Sequence, residues 1–355
     1  LEMIIRKIFS LATSIISLFI LILFINTNSI SDENNIKYYS GDEGILSLMY
    51  HRFNENKYPS TNIQMDVFKE QMKIIKNSNY TFSNPKNFKK NFSSPKTNKE
   101  ILITIDDAFL SFYTNAWPYL KKNKIPFILF VSTEPVGKKG YMTWEQIKEV
   151  EAEEFAVIGH HSHSHEYLID EDNNFFISDI EKANEIFLKN LGYIPNLFSY
   201  PFGEYSRFMR DYISQNFNYA FGQHSGVIDL NKDKFELPRF PINENYGKLK
   251  RFISIINSFP LEYEKLLPLE KKLSIENNPP DFQVKFFSEQ TNLKNINCYS
   301  NELDVWERSN TSLISNTLII KFRGPFVPRR GRVNCSLNDN GKWRWFGVQF
   351  PIKKN

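Results

Sequence analysis

Between Gly44 and about Asn257, short apolar runs alternate with segments of helical periodicity, and this alternation limits the possible folds more than any other feature of the chain. ILSLMY (45–50), ILITI (101–105), IPFILFVS (125–132), FAVIG (155–159) and LFSY (197–200) read as buried strands bounded by polar or turn residues. NYAFGQ (218–223) and FELPRFPI (235–242) are later strand candidates. Between the strands, DVFKEQMKIIKNS (66–78), a stretch through Trp117–Lys122, TWEQIKEVEA (143–152) and SDIEKANEIFLKNLG (178–192) read as helices. Thr143 with Gln146 and Ser178 with Glu181 have capping-box spacing, and Gly192 is placed as a stop. Repeated β-then-α units imply a parallel sheet or a β/α barrel, in which chemistry gathers at the C-terminal strand ends.

The ends of the chain read differently. Arg6 and Lys7 precede an apolar run from Ile8 to Ile25, so residues 1–28 are expected to be an export signal or a single membrane anchor. Either places the remainder outside the cytoplasm, as a periplasmic, envelope-anchored or secreted protein. LPLEKKLSIENNPP (267–280) reads as a connection, giving a main domain over 29–262, a linker over 263–280 and a module over 281–355. That last part shows short strands only and is expected to be a small all-β, sandwich-like domain. It holds both cysteines, Cys298 and Cys335; an exported chain would join them, and the alternative is two buried thiols. A net charge of +4 is too small to argue nucleic-acid binding, but residues 281–355 carry 12 Lys+Arg against 6 Asp+Glu. Trp343, Trp345 and Phe346, with Arg323, Arg329, Arg330, Arg332 and Arg344, could form a glycan or membrane-surface contact; a half-buried strand would look the same.

Polar clusters follow four of the apolar runs: His51, Asp106/Asp107, GHHSHSH (159–165) and the PFGEY turn (201–205). His161 and His165, four apart at a strand end, can reach one cation, and a carboxylate from TIDD (104–107) would complete the set. Successive side chains on an extended chain diverge, so one aspartate can bind metal while its neighbour faces the reacting water. His160 and His163 read as background to that pair.

The Asp-Asp pair, HSHSH (161–165) as H-[S/T]-x-x-H, and SYPFGEY (199–205) as a P-x-G turn resemble the polysaccharide deacetylase family (NodB homology, carbohydrate esterase family 4-like) over roughly Ile45 to Phe240. LMYH with its QM helix resembles the subgroup acting on poly-N-acetylglucosamine, which has a rearranged order of active-site segments. The resemblance implies a distorted β/α barrel and N-deacetylation of an N-acetylated polysaccharide with a divalent metal, zinc first and cobalt, nickel or iron as alternatives. It makes Asp107, His161 and His165 the ligands, Asp106 the general base, and the Phe202 N–H after Pro201 an oxyanion donor, with Ser162 orienting a ligand. His51 is the better candidate for the general acid; His224 is the alternative. Two departures stand out: Ala108 replaces the usual Gly, and Ser199 stands where an Arg usually partners the base. Arg239 in LPRF (237–240) is the candidate replacement in space. The rival readings are O-deacetylation and a degenerate, glycan-binding relative.

Overall fold

A computed structural model describes residues 44–93, 99–288, 290 and 292–353; the apolar segment 1–28 lies outside them. The apolar runs form parallel strands β1 (Ile45–Tyr50), β2 (Thr81–Phe82), β3 (Glu100–Ile105), β4 (Phe127–Val131), β5 (Ala156–His160), β6 (Leu197–Ser199), β7 (Tyr219–Phe221) and β8 (Phe240–Pro241). Their order is β8-β1-β3-β4-β5-β6-β7, with β2 beside the start of β3. A parallel bridge between Phe221 and Leu237, just ahead of β8, links the last strand back towards β1. The sheet is therefore a distorted β/α barrel. Alternation along the strands explains it: Ile101, Ile103 and Ile105 pack outward under helices, while Leu102 joins Ile128, Phe130 and Phe221 inside. Thr104 and Asp106 share the parity of Leu102, so polar groups sit at the inner mouth.

The longer helices are α1 (Met65–Lys76), α2 (Trp117–Asn123), α3 (Trp144–Glu151), α4 (Asn173–Leu191), α5 (Arg207–Asn216) and α6 (Leu249–Ile256). Thr143 and Gln146 form the expected capping box on α3. The Ser178 cap is corrected. Helix α4 starts a turn and a half earlier, where the Asp172 side chain accepts from Phe175 N–H, and Ser178 lies inside it, bonded to the Phe175 carbonyl. Asp caps as well as Ser, and the buried row Phe176, Ile180, Ala183, Phe187 already begins upstream of Ser178.

From Phe259 onward the chain forms a two-sheet sandwich. Strands β9 (Phe259–Pro260), β10 (Lys265–Leu267), β11 (Phe282–Lys285), β12 (Asn297–Ser300), β13 (Glu307–Arg308), β14 (Asn310–Ile314), β15 (Thr317–Lys321), β16 (Arg330–Asp339) and β17 (Lys342–Pro351) form sheets β9-β17-β16-β12-β13 and β10-β11-β15-β14. The expected linker is not a free connection, because Lys265–Leu267 within it pairs antiparallel with β11. Its charged residues Glu270 and Lys271 are also tied down, Glu270 accepting from the Arg207 N–H and Lys271 buried. Cys298 and Cys335 face each other across β12 and β16 and are joined by a disulfide.

Strand β17 alternates cleanly. Phe346, Val348 and Phe350 enter the sandwich core, while Trp345 packs on Phe240 of the barrel and Gly347 lies against Ser225. A Cβ at Gly347 would stand 2.3 Å from the Ser225 carbonyl oxygen, so only glycine permits this approach. The aromatic-basic set thus does not share one exposed face: Trp343 is 48% exposed, but Trp345 and Phe346 are packed and Arg323 pairs with Glu302 and Glu307.

Candidate active site

The C-terminal strand ends bring the expected residues together. Asp106 and Asp107 follow β3, and Asp107 and Ala108 adopt φ of 74° and 51°. A left-handed pair of non-glycine residues is strained, by about 1–3 kcal/mol each. It turns the Asp107 side chain back towards the barrel mouth, where Oδ1 lies 3.3 Å from His161 Nε2 and 3.1 Å from His165 Nε2. Ala108 occupies the conformation that the missing glycine would take freely.

His161 follows β5, and its Nδ1 lies 2.6 Å from the Ser199 carbonyl oxygen. A carbonyl only accepts, so Nδ1 carries a hydrogen there, and Nε2 is the ring atom that faces Asp107. Ser162, at φ 69°, accepts the His165 N–H at its hydroxyl and folds the loop so that the two imidazoles stand 4.9 Å apart. The ligating atoms of Asp107, His161 and His165 lie within 4.8 Å of one another. Among the described residues, no hydrogen-bond partner meets Asp107 Oδ1 or His161 Nε2, although both are buried. Lone pairs orphaned around one point are the signature of a cation site, and this set fits a divalent metal.

Beside it, Asp106 is held by Arg239. The guanidinium, fully buried, donates from Nη1 to Oδ1 (2.7 Å) and from Nη2 to Oδ2 (2.8 Å). Its other N–H groups go to Thr104 Oγ1, Ser199 Oγ and the Gly222 carbonyl, so all five donors are used. Ser199 thus does not leave a gap: a small hydroxyl there makes room for an arginine arriving from β8. Burial alone would raise the Asp106 carboxyl, but Arg239, His161 and His51 outweigh it and hold it below the usual carboxylate range. Asp107 follows the same logic with His165 and His161, and is held well below. Burial works to lower His165, yet Asp107 prevails and raises it. His51, the residue after β1, puts Nε2 4.0 Å from Asp106 Oδ2, and burial lowers its imidazole against the pull of both aspartates.

The other histidines lie elsewhere. His160 is ringed by Phe187, Phe198 and Phe217, and burial pulls it down to about 3. His163 turns to Thr133, its Nδ1 2.7 Å from the hydroxyl. His224 lines a cavity with Tyr205, Glu236, Tyr263 and Lys271, where burial and then Lys271 lower it to about 4. The turn Pro201–Gly203 sets the Phe202 ring 4.7 Å from that of His165, with Phe202 at φ 58°.

Residues 93–220 match the family model for polysaccharide deacetylases. That stretch is a polysaccharide deacetylase domain. A poly-β-1,6-N-acetyl-D-glucosamine N-deacetylase of Staphylococcus aureus is 24% identical over 245 residues, spanning 60% of this chain and 84% of the relative. Among solved structures, IcaB of Ammonifex degensii superposes with a TM-score of 0.51 at 25% identity, over 60% of this chain and 97% of that one. The Streptococcus pyogenes deacetylase PplD, in complex with acetate, gives 0.55 at 21% identity over 61% and 99%.

Sequence reasoning missed several residues that build the deacetylase site. Asp179 of α4 accepts from the backbone N–H of His163 (2.8 Å) and Ser164 (3.0 Å), tying down the loop between His161 and His165. Its only sequence signal was its position in a helix expected to begin one residue earlier. Glu204, inside the PFGEY motif, binds Arg329 and Arg330 of the sandwich. Nothing local in either segment announces that pairing.

Proposed function

We propose that this deacetylase hydrolyses the acetamide of N-acetylhexosamine units in an extracellular or cell-wall polysaccharide. The observation that carries the reading is the convergence of orphaned Asp107 Oδ1 and His161 Nε2 beside an aspartate clamped by a buried arginine. A divalent cation held by Asp107, His161 and His165, zinc first, would supply Lewis acidity to the acetamide carbonyl and to water. Asp106 takes a proton from the attacking water; its lowered pKa keeps it ionised, hence receptive, throughout the physiological range. Arg239 orients it and keeps it charged. The Phe202 N–H donates to the developing oxyanion. His51 protonates the departing amine, which leaves as a free amino sugar beside acetate. The degenerate, binding-only alternative was motivated by the absent arginine, and Arg239 removes that motive.

An exported setting is supported by the Cys298–Cys335 disulfide, which suits an oxidising compartment, and by the apolar run near the start of the chain. No helix among the described residues is long and apolar enough to cross a membrane. The relative's substrate makes β-1,6-linked N-acetylglucosamine oligomers the first to assay, beside β-1,4-linked oligomers and O-acetylated glycans. Zinc-loaded protein is expected to release acetate from an N-acetylated oligomer faster than from any O-acetylated one. Release from O-acetylated glycans alone would make it an esterase.

A further inference from the structure

The family match ends at residue 220, yet the sandwich reaches back into the site. From β17, Gln349, only 2% exposed, donates from Nε2 to the carbonyls of both Phe202 (3.0 Å) and Gly203 (3.1 Å). Its cross-strand partner Arg332 donates to Gln349 Oε1, which fixes the amide orientation and directs Nε2 at the turn. One residue on, Glu204, 3% exposed, receives Arg329 at both oxygens and Arg330 Nε at 2.7 Å. Arg329 also reaches Asp170 at 2.8 Å.

Aromatic stacking completes the grip. Arg329 Cζ lies 3.7 Å from the centre of the Tyr167 ring, and the Phe202 ring lies 4.1 Å away, nearly parallel. Two groups that close must occupy opposite faces, so Tyr167 offers no face to a sugar and serves as a spacer between arginine and turn. Phe202 then meets the His165 ring edge-on. A non-glycine residue at φ 58° is held only if its surroundings over-determine it. The barrel supplies His165 and Tyr167 around it, and the sandwich adds Gln349 on its carbonyl and Arg330 over its ring.

We infer that the β module is a working part of the active site: Gln349, Arg329 and Arg330 are positioning residues that hold the Pro201–Glu204 turn, and through it aim the Phe202 N–H at the oxyanion. The inference rests on the proposed role of Phe202. It predicts a loss specific to the transition state. In the full-length protein, Gln349→Met and Arg330→Met should each lower kcat for acetate release from N-acetylglucosamine oligomers about tenfold or more, with KM within about twofold. Zinc stoichiometry should stay at the wild-type level, Arg330→Lys should recover part of the loss, and Ile314→Ala, at an exposed sandwich position, should behave as wild type. Arg330 is partly exposed, so its variants remain readable if Gln349→Met fails to fold. A kcat within about twofold of wild type in folded Arg330→Met and Gln349→Met would overturn the inference while leaving the hydrolase reading intact. A wild type that binds zinc but releases no acetate would overturn both.

Discussion

Asp106 and Arg239 stand 133 positions apart in the chain and share one buried, doubly hydrogen-bonded contact. Removing one partner of such a pair leaves an uncompensated charge, so Arg239→Met is expected to cost about 3–5 kcal/mol in denaturant unfolding. Arg239→Lys should recover little, because an ammonium cannot reach Asp106, Thr104, Ser199 and Gly222 together. His224 gives a pH signature outside the Asp107, His161 and His165 group. Its folded pKa, about 4, lies below the unfolded value of about 6.5. Between those limits the unfolded chain binds more protons, so stability must fall as the pH drops from about 6.5 to about 4. His224→Asn should flatten that fall in unfolding curves recorded across the window; an unchanged slope would show that other groups cause it. The spacing of His161 and His165 was legible because both belong to one loop. Arg239 was visible only as a candidate, since no local pattern states which strand end an arginine will reach.

Elements set the loops that set the ligands. Helix α4 contributes Asp179, whose carboxylate holds two consecutive backbone N–H groups of the histidine loop. Asp179→Ala should weaken zinc binding about 10- to 100-fold, measured by competition with a chromophoric chelator, and leave the ligands themselves untouched. Asp179→Asn keeps one acceptor and should fall between. The strands and most helices could be read from periodicity, because burial on both faces makes barrel strands continuous apolar runs. The start of α4 was misplaced because two equally good capping patterns, Asp172 and Ser178, lie six residues apart. The alternation of β17 was read correctly as strand-like, but its outer face, with Trp345 on the barrel and Gln349 on the turn, depends on docking that no pattern encodes.

At the scale of the molecule, barrel and sandwich are joined by side chains as well as by the chain itself. The order of the three motifs made the barrel and the family legible. The extent of the linker was not, because no local pattern announces that Lys265–Leu267 pairs with β11. The disulfide closes a span of 37 residues between adjacent strands, and Cys298→Ser is expected to cost about 2–4 kcal/mol by thermal unfolding. The proposed chemistry has Asp107, His161 and His165 holding a cation beside Asp106 acting as base. Its most direct test is metal content and acetate release measured together on wild type and Asp106→Asn. Chelation is expected to abolish wild-type release and zinc to restore it. Asp106→Asn is expected to bind zinc in the same stoichiometry yet release acetate about 10²- to 10⁴-fold more slowly. Wild-type rates from Asp106→Asn, or full activity in wild type stripped of metal, would contradict that chemistry.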